Sequence, residues 1–142
     1  MRKRMVGAIS VAMLVAGCGA SDDYANDKRP PSPVNISVSV TDARVLVSPS
    51  RLGAGPAVVT ISNQSARSRD LRLTPPDGSS SACLESDAAS GPINPMGTAR
   101  LTVDLTEGEC LISAGDDARD PRPARLTVGA MRPSAQNRLL LP

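Results

Sequence analysis

The stretch Val34-Asn35-Ile36-Ser37-Val38-Ser39-Val40 decides the fold. Branched apolar residues at 34, 36, 38 and 40 alternate with polar residues at 35, 37 and 39. A strict period of two turns one face of an extended chain toward a core and the other toward water. Val45 and Val47 continue the style after Thr41-Asp42. Pro49 to Pro56, with Gly53 and Gly55, reads as turn-rich. Ala57 to Ile61 gives the next strand, ending at Asn63. Asp70 to Thr74 gives another, with Leu71 and Leu73 inward. Pro75-Pro76-Asp77-Gly78 closes it, since glycine supplies the positive φ that such turns need. A long Ser/Ala/Gly-rich connection then runs to Gly97, after which Ala99, Leu101, Val103 and Leu105 alternate cleanly. Glu107-Gly108 is a turn. Cys110, Ile112 and Ala114 share one face of a strand, Gly115 to Pro123 is a loop, and Leu126 and Val128 belong to a last strand. No segment carries a sustained 3.6-residue stripe, and no internal repeat is visible. Short strands between Gly/Pro turns predict an all-β chain folded as an antiparallel β-sandwich.

Upstream of that domain the chain changes character. Arg2, Lys3 and Arg4 precede an apolar run from Met5 to Val15. The run is too short for the ~20 apolar residues of a membrane span and suits the hydrophobic region of an export signal. It ends in Val15-Ala16-Gly17-Cys18, which resembles the bacterial lipobox, with Val15 where Leu is usual. The resemblance implies that residues 1–17 are a cleaved lipoprotein signal peptide and that Cys18 takes the lipid. The folded part then lies on the extracytoplasmic face of a membrane, held by its N-terminal lipid. Residues 18–33, polar and then Pro-rich at Pro30-Pro31-Ser32-Pro33, read as a disordered tether.

Composition narrows the function by exclusion. The full chain carries 16 basic and 14 acidic residues. Removal of residues 1–17 leaves 13 basic residues against the same 14 acids, a formal charge of −1. No strong field remains to attract nucleic acid or anionic lipid. The chain has no His, Trp or Phe, and its one Tyr, Tyr24, falls in the tether. A domain without aromatics has no platform for stacking bases. A domain without His lacks the commonest general base and metal ligand. The 125 residues after the signal suffice for one small domain, with boundaries expected at 34–130, followed by a C-terminal segment, 131–142.

With Cys18 lipidated, Cys83 and Cys110 remain. An even pair in an exported chain favours a disulfide between them, and two buried free thiols are the alternative.

The strand order and two segments resemble the cupredoxin-like domains. One is Val58-Val59-Thr60-Ile61-Ser62-Asn63, similar to the family strand that ends in Asn. The other runs from Gly91-Pro92-Ile93-Asn94-Pro95-Met96-Gly97 through Thr98–Leu105 to Thr106-Glu107-Gly108-Glu109-Cys110, similar to the family's turn, strand, Glu-Gly turn and Gly-x-Tyr strand. The resemblance implies a two-sheet Greek-key sandwich. It also implies where copper ligands would fall, and there the sequence departs. No His stands between Asn63 and Arg72, the cysteine position falls at Ala114, and the tyrosine position is Cys110. A blue-copper centre needs two His and one Cys, so neither a metal site nor a cofactor is expected.

Other features carry little chemistry. Asp116, Asp117 and Asp120 lack calcium-loop spacing, and Arg119 lies among them, so a solvated loop is expected. Asp104, Glu107 and Glu109 read as exposed charges, and Met96 and Met131 as isolated gap-fillers. Ser79-Ser80-Ser81 has no partner base, which leaves no catalytic residue to name. Leu139-Leu140-Leu141-Pro142 is expected to cover an edge or open end of the sandwich, with a short motif that engages a partner as the alternative. The reading that follows is a lipid-anchored, non-catalytic binding or interaction module with an unidentified protein partner. Two others compete with it: an envelope structural or stress lipoprotein without a specific ligand, and a metal handler on a degenerate cupredoxin scaffold.

Overall fold

Alternation along the chain is realised as eight strands among the described residues: β1 (Val34–Val40), β2 (Val45–Ser48), β3 (Arg51–Asn63), β4 (Arg69–Thr74), β5 (Ala88–Ile93), β6 (Thr98–Leu105), β7 (Gly108–Ser113) and β8 (Ala124–Met131). The structure is a computed structural model that describes residues 29–76, 83–84, 87–115, 117 and 119–134. The expected signal peptide, Cys18, most of the expected tether, Ser79-Ser80-Ser81, Asp116 and Leu139–Pro142 lie outside them.

One sheet has the order β2-β1-β3-β6, the other β3-β8-β7-β4-β5. The long β3 belongs to both. Arg51–Gly53 pair with β8, the register shifts between Gly53 and Ala54, and Ala57–Asn63 pair with β1. The chain crosses between sheets from β3 to β4, from β5 to β6 and from β6 to β7. The result is the two-sheet Greek-key sandwich that the sequence implies.

Three expectations are corrected. The stretch from Pro49 to Pro56 is mostly strand, not turn. Its glycines mark the bend at which β3 changes sheets, a usual place for glycine in a strand. Gly55 has φ 120°, and a Cβ there would stand 2.7 Å from Pro31 Cγ. Second, the sandwich is not wholly antiparallel, because β1 and β8 both run parallel to β3. β2 reverses on β1, so a second reversal returns β3 in the direction of β1. Third, β5 lies inside the segment read as a connection. It is an edge strand on β4, which explains how it tolerates Pro92.

Ile36, Val38 and Val40 of β1 are buried, as the alternation requires, together with Ile61, Leu71, Leu73, Leu105, Ile112 and Leu126. Cys83 and Cys110 are bonded to each other, with Cα atoms 5.5 Å apart. Both are fully buried. The chain around Cys83 is docked in its own right: its carbonyl accepts the Thr106 N–H at 2.9 Å, and Leu84 bridges to Leu105.

At the end of the sandwich where β8 finishes, Arg132 ties three segments together. Its Nε donates to Gly53 O and Ala54 O at 3.2 Å each, Nη1 to Ser32 O at 2.8 Å, and Nη2 to Pro56 O at 2.6 Å. A guanidinium has five donors in a fixed fork, which suits several carbonyls at once. The residues that enter β1 are thereby fastened to the middle of β3.

Candidate functional site

The opposite end gathers the last residues of β3, β5 and β7 and the first of β4 and β6. Asn63, which closes β3, is fully buried. Its Nδ2 donates to Arg67 O and Ile93 O, both at 2.8 Å. Its Oδ1 accepts Ser65 N at 3.0 Å and Ser65 Oγ at 2.7 Å. The backbone joins in: Asn63 N donates to Gly97 O, and Met96 N donates to Asn63 O. One side chain therefore fixes both the β3–β4 turn and the end of β5.

Ser65 hands the network on to Arg69 at the start of β4, whose Nε lies 3.4 Å from Ser65 Oγ. Arg69 is 9% exposed and pairs through Nη1 with Asp120, itself 19% exposed, in the β7–β8 loop. Asp120 Oδ2 also accepts the Asp117 N–H at 2.7 Å. The loop can adopt this shape because residue 115 is glycine. Its φ is 120°, and a Cβ there would overlap the Asp120 carboxylate. The Asp117 N–H, and after it Arg69, hold the Asp120 carboxyl below its ordinary value of 3.8.

This gives a pH dependence with a defined sign. A depressed carboxyl stabilises the fold above its unfolded-state pKa, and the stabilisation fades as pH falls through the lowered folded-state value. Wild-type protein is expected to keep this contribution at neutral pH and lose it in the acid range below 3.8. Asp120→Asn is expected to melt lower than wild type at pH 7, with the gap closing on acidification. Melting curves taken down to pH 2.5 check this, and a gap that stays constant would show that the carboxylate is not the source.

Ser68, Arg69, Asp70, Pro92, Ala114 and Asp120 are among the residues lining an open cleft of about 530 Å³ at this end. The Asn63–Arg72 stretch and Ala114, separated widely in sequence, are the places where the resemblance puts copper ligands, and the fold does bring them together. What meets there is a guanidinium, a methyl group and a carboxylate already paired. Arg is permanently charged and a donor only, so it cannot ligate a cation and repels one. Copper does not fit these residues. Among the described residues no group of three or more His, Cys, Asp and Glu could hold a metal ion.

Several expected roles change with the geometry. Asp120 is a partner of Arg69 and not a solvated loop charge, whereas Asp117 and Arg119 are exposed. Glu109 is exposed as expected and pairs with exposed Arg125 at 3.4 Å, a contact that contributes little. Met96 and Met131 fill no gap: they are 80% and 64% exposed, at opposite ends of the molecule. Arg69 and Arg132 carry no signal in the sequence, because nothing local distinguishes an arginine that ties the fold together from a surface one.

The sequence matches no protein-family model and no curated protein. Among solved structures the chain is similar to the dithionite-reduced auracyanin of the photosynthetic bacterium Roseiflexus castenholzii, at 14% identity and a TM-score of 0.49 over 70% of this chain and 98% of that one. It is similar also to auracyanin A, a blue copper protein of the green thermophilic photosynthetic bacterium Chloroflexus aurantiacus, at 17% identity and a TM-score of 0.49 over 69% of this chain and 100% of that one. A reduced Cu(I) form of an amicyanin mutant follows at 13% identity and a TM-score of 0.39, over 65% and 81%. Likeness this distant says nothing about chemistry, which rests on the residues of the cleft themselves.

Proposed function

We propose that this chain is a lipid-anchored extracytoplasmic protein whose cupredoxin-like sandwich serves as a non-catalytic binding or interaction module without copper. The observation that carries the reading is the Asn63–Ser65–Arg69–Asp120 network. It closes, with hydrogen bonds and one ion pair, the end of the sandwich at which a metal would otherwise join the loops. The composition agrees, since a chain without His has neither the usual base nor the usual copper ligands. The metal-handler alternative is disfavoured by the guanidinium beside Ala114. Equilibrium dialysis of the purified protein against Cu(I) and Cu(II) tests this: copper retained at one equivalent would overturn it. Cross-linking in cells followed by capture tests the interaction role, which fails if no partner is recovered.

The anchor rests on the lipobox at Val15-Ala16-Gly17-Cys18. Cys18→Ser is expected to abolish lipidation and release the protein from the membrane fraction. Mass spectrometry of the mature N-terminus checks it, and an unmodified wild-type N-terminus at another residue would sink the assignment.

A further inference from the structure

The end of the domain fastened by Arg132 carries a groove of about 540 Å³, where Pro30, Pro56, Met131 and Pro133 supply accessible apolar surface and exposed Arg29 and Asp104 stand among them. Met131 on its rim is 64% exposed, at the exposed end of β8. An exposed thioether among proline rings is a soft apolar surface. The lining takes residues from both ends of the described chain, 29–31 and 131–134, and the Nη1 bond from Arg132 to Ser32 O holds the two together.

We propose that this end of the domain lies against the lipid surface, with Met131 and the surrounding prolines as the contact. The inference rests on lipidation of Cys18. Arg29 is the eleventh residue after Cys18, so covalent geometry keeps the groove within about 40 Å of the bilayer. The Arg132 clamp makes the groove, and not the cleft around Arg69, the place where the tether leaves the domain. From Gly55 beside the groove, β3 runs to Asn63 at the other end, about 26 Å at strand rise. A surface held this close is presented at high effective concentration, so a weak apolar contact suffices.

The two exposed methionines provide the test. Met131→Cys and Met96→Cys, each labelled with an environment-sensitive fluorophore, report on opposite ends of the full-length mature protein. The lipidated protein, its modification verified by mass spectrometry, is reconstituted on vesicles of phosphatidylethanolamine and phosphatidylglycerol containing brominated lipid. The expected result is a blue shift and bromine quenching at position 131, with position 96 remaining water-like. Equal signals at both positions, or a water-like signal at 131 on verified lipidated protein, would overturn the proposal and leave the anchor standing. An unmodified Cys18 would remove both. A label at 131 that is already shielded without vesicles, and exposed by truncation after Ser134, would show that the chain's own C-terminus covers the groove, which also overturns the proposal.

Discussion

Asn63→Ala is expected to lower the stability of the sandwich by roughly 2–4 kcal/mol. Removal of the amide strands Ser65 N, which now meets Asn63 Oδ1 at 3.0 Å, and takes one of two donors each from Arg67 O and Ile93 O, which keep Ser65 Oγ at 2.9 Å and Ser68 Oγ at 3.2 Å. A buried polar group without its partner costs about 1–3 kcal/mol. Ser65 Oγ can fall back on Arg67 O, which it already reaches at 2.9 Å, so the sum is not taken at its maximum. Because Asn63 joins the β3–β4 turn to the end of β5, the loss should loosen both, and with them the seat of Arg69. Asn63→Asp is the informative companion. It keeps the acceptor for Ser65 but turns a carboxylate oxygen toward two carbonyls, so it should be no better than alanine at neutral pH and recover in acid. Urea unfolding of the three proteins measures this. An alanine variant within 1 kcal/mol of wild type would mean that water replaces the amide and that the network is not what closes this end.

Loss of the Cys83–Cys110 bond is expected to cost a similar amount, about 3.5 kcal/mol from chain entropy for a separation of 27 residues. The bond joins β7, in the centre of one sheet, to the segment that follows β4. Cys110 is in phase with Ile112, and Cys83 is held by the Thr106 N–H on its carbonyl and by the bridge from its neighbour Leu84 to Leu105. The sequence alone places only Cys110 in the core and predicts that Cys110→Ser is the worse of the two serine variants. The structure removes that asymmetry: both sulfurs are fully buried, so either serine brings a hydroxyl into an apolar site and the two variants should lose nearly the same stability. Wild-type protein should melt lower in the presence of reductant, whereas neither variant should respond. The entropic account fails if reduced wild type melts with oxidised wild type.

Period-two alternation in β1, β6 and β7, and the inward leucines of β4, were enough to fix an all-β chain and to place Ile36, Val38, Leu71, Leu105 and Ile112 inside. That information is local, because a strand half covered by a second sheet must alternate whatever its partners are. Composition was equally direct about what the domain lacks, since a missing His needs no coordinates. The sequence also contained the even pair of cysteines, though not the proof that they meet. Tertiary structure decided the rest. Gly53 and Gly55 carry the same turn signal whether a chain stops or bends, and only pairing with β8 on one side and β1 on the other shows that β3 continues through them. β5 has no alternation to read, and an edge on β4 makes it a strand. Arg69 and Asp120 are 51 residues apart, and Arg132 reaches back 100 residues to Ser32. Pairing at such distances depends on which loops the sandwich brings to the same end, and no window of sequence contains it. For the same reason the copper-ligand positions could be found empty of His and Cys from the sequence, while the arginine and aspartate that close that end became visible only when the fold put them side by side.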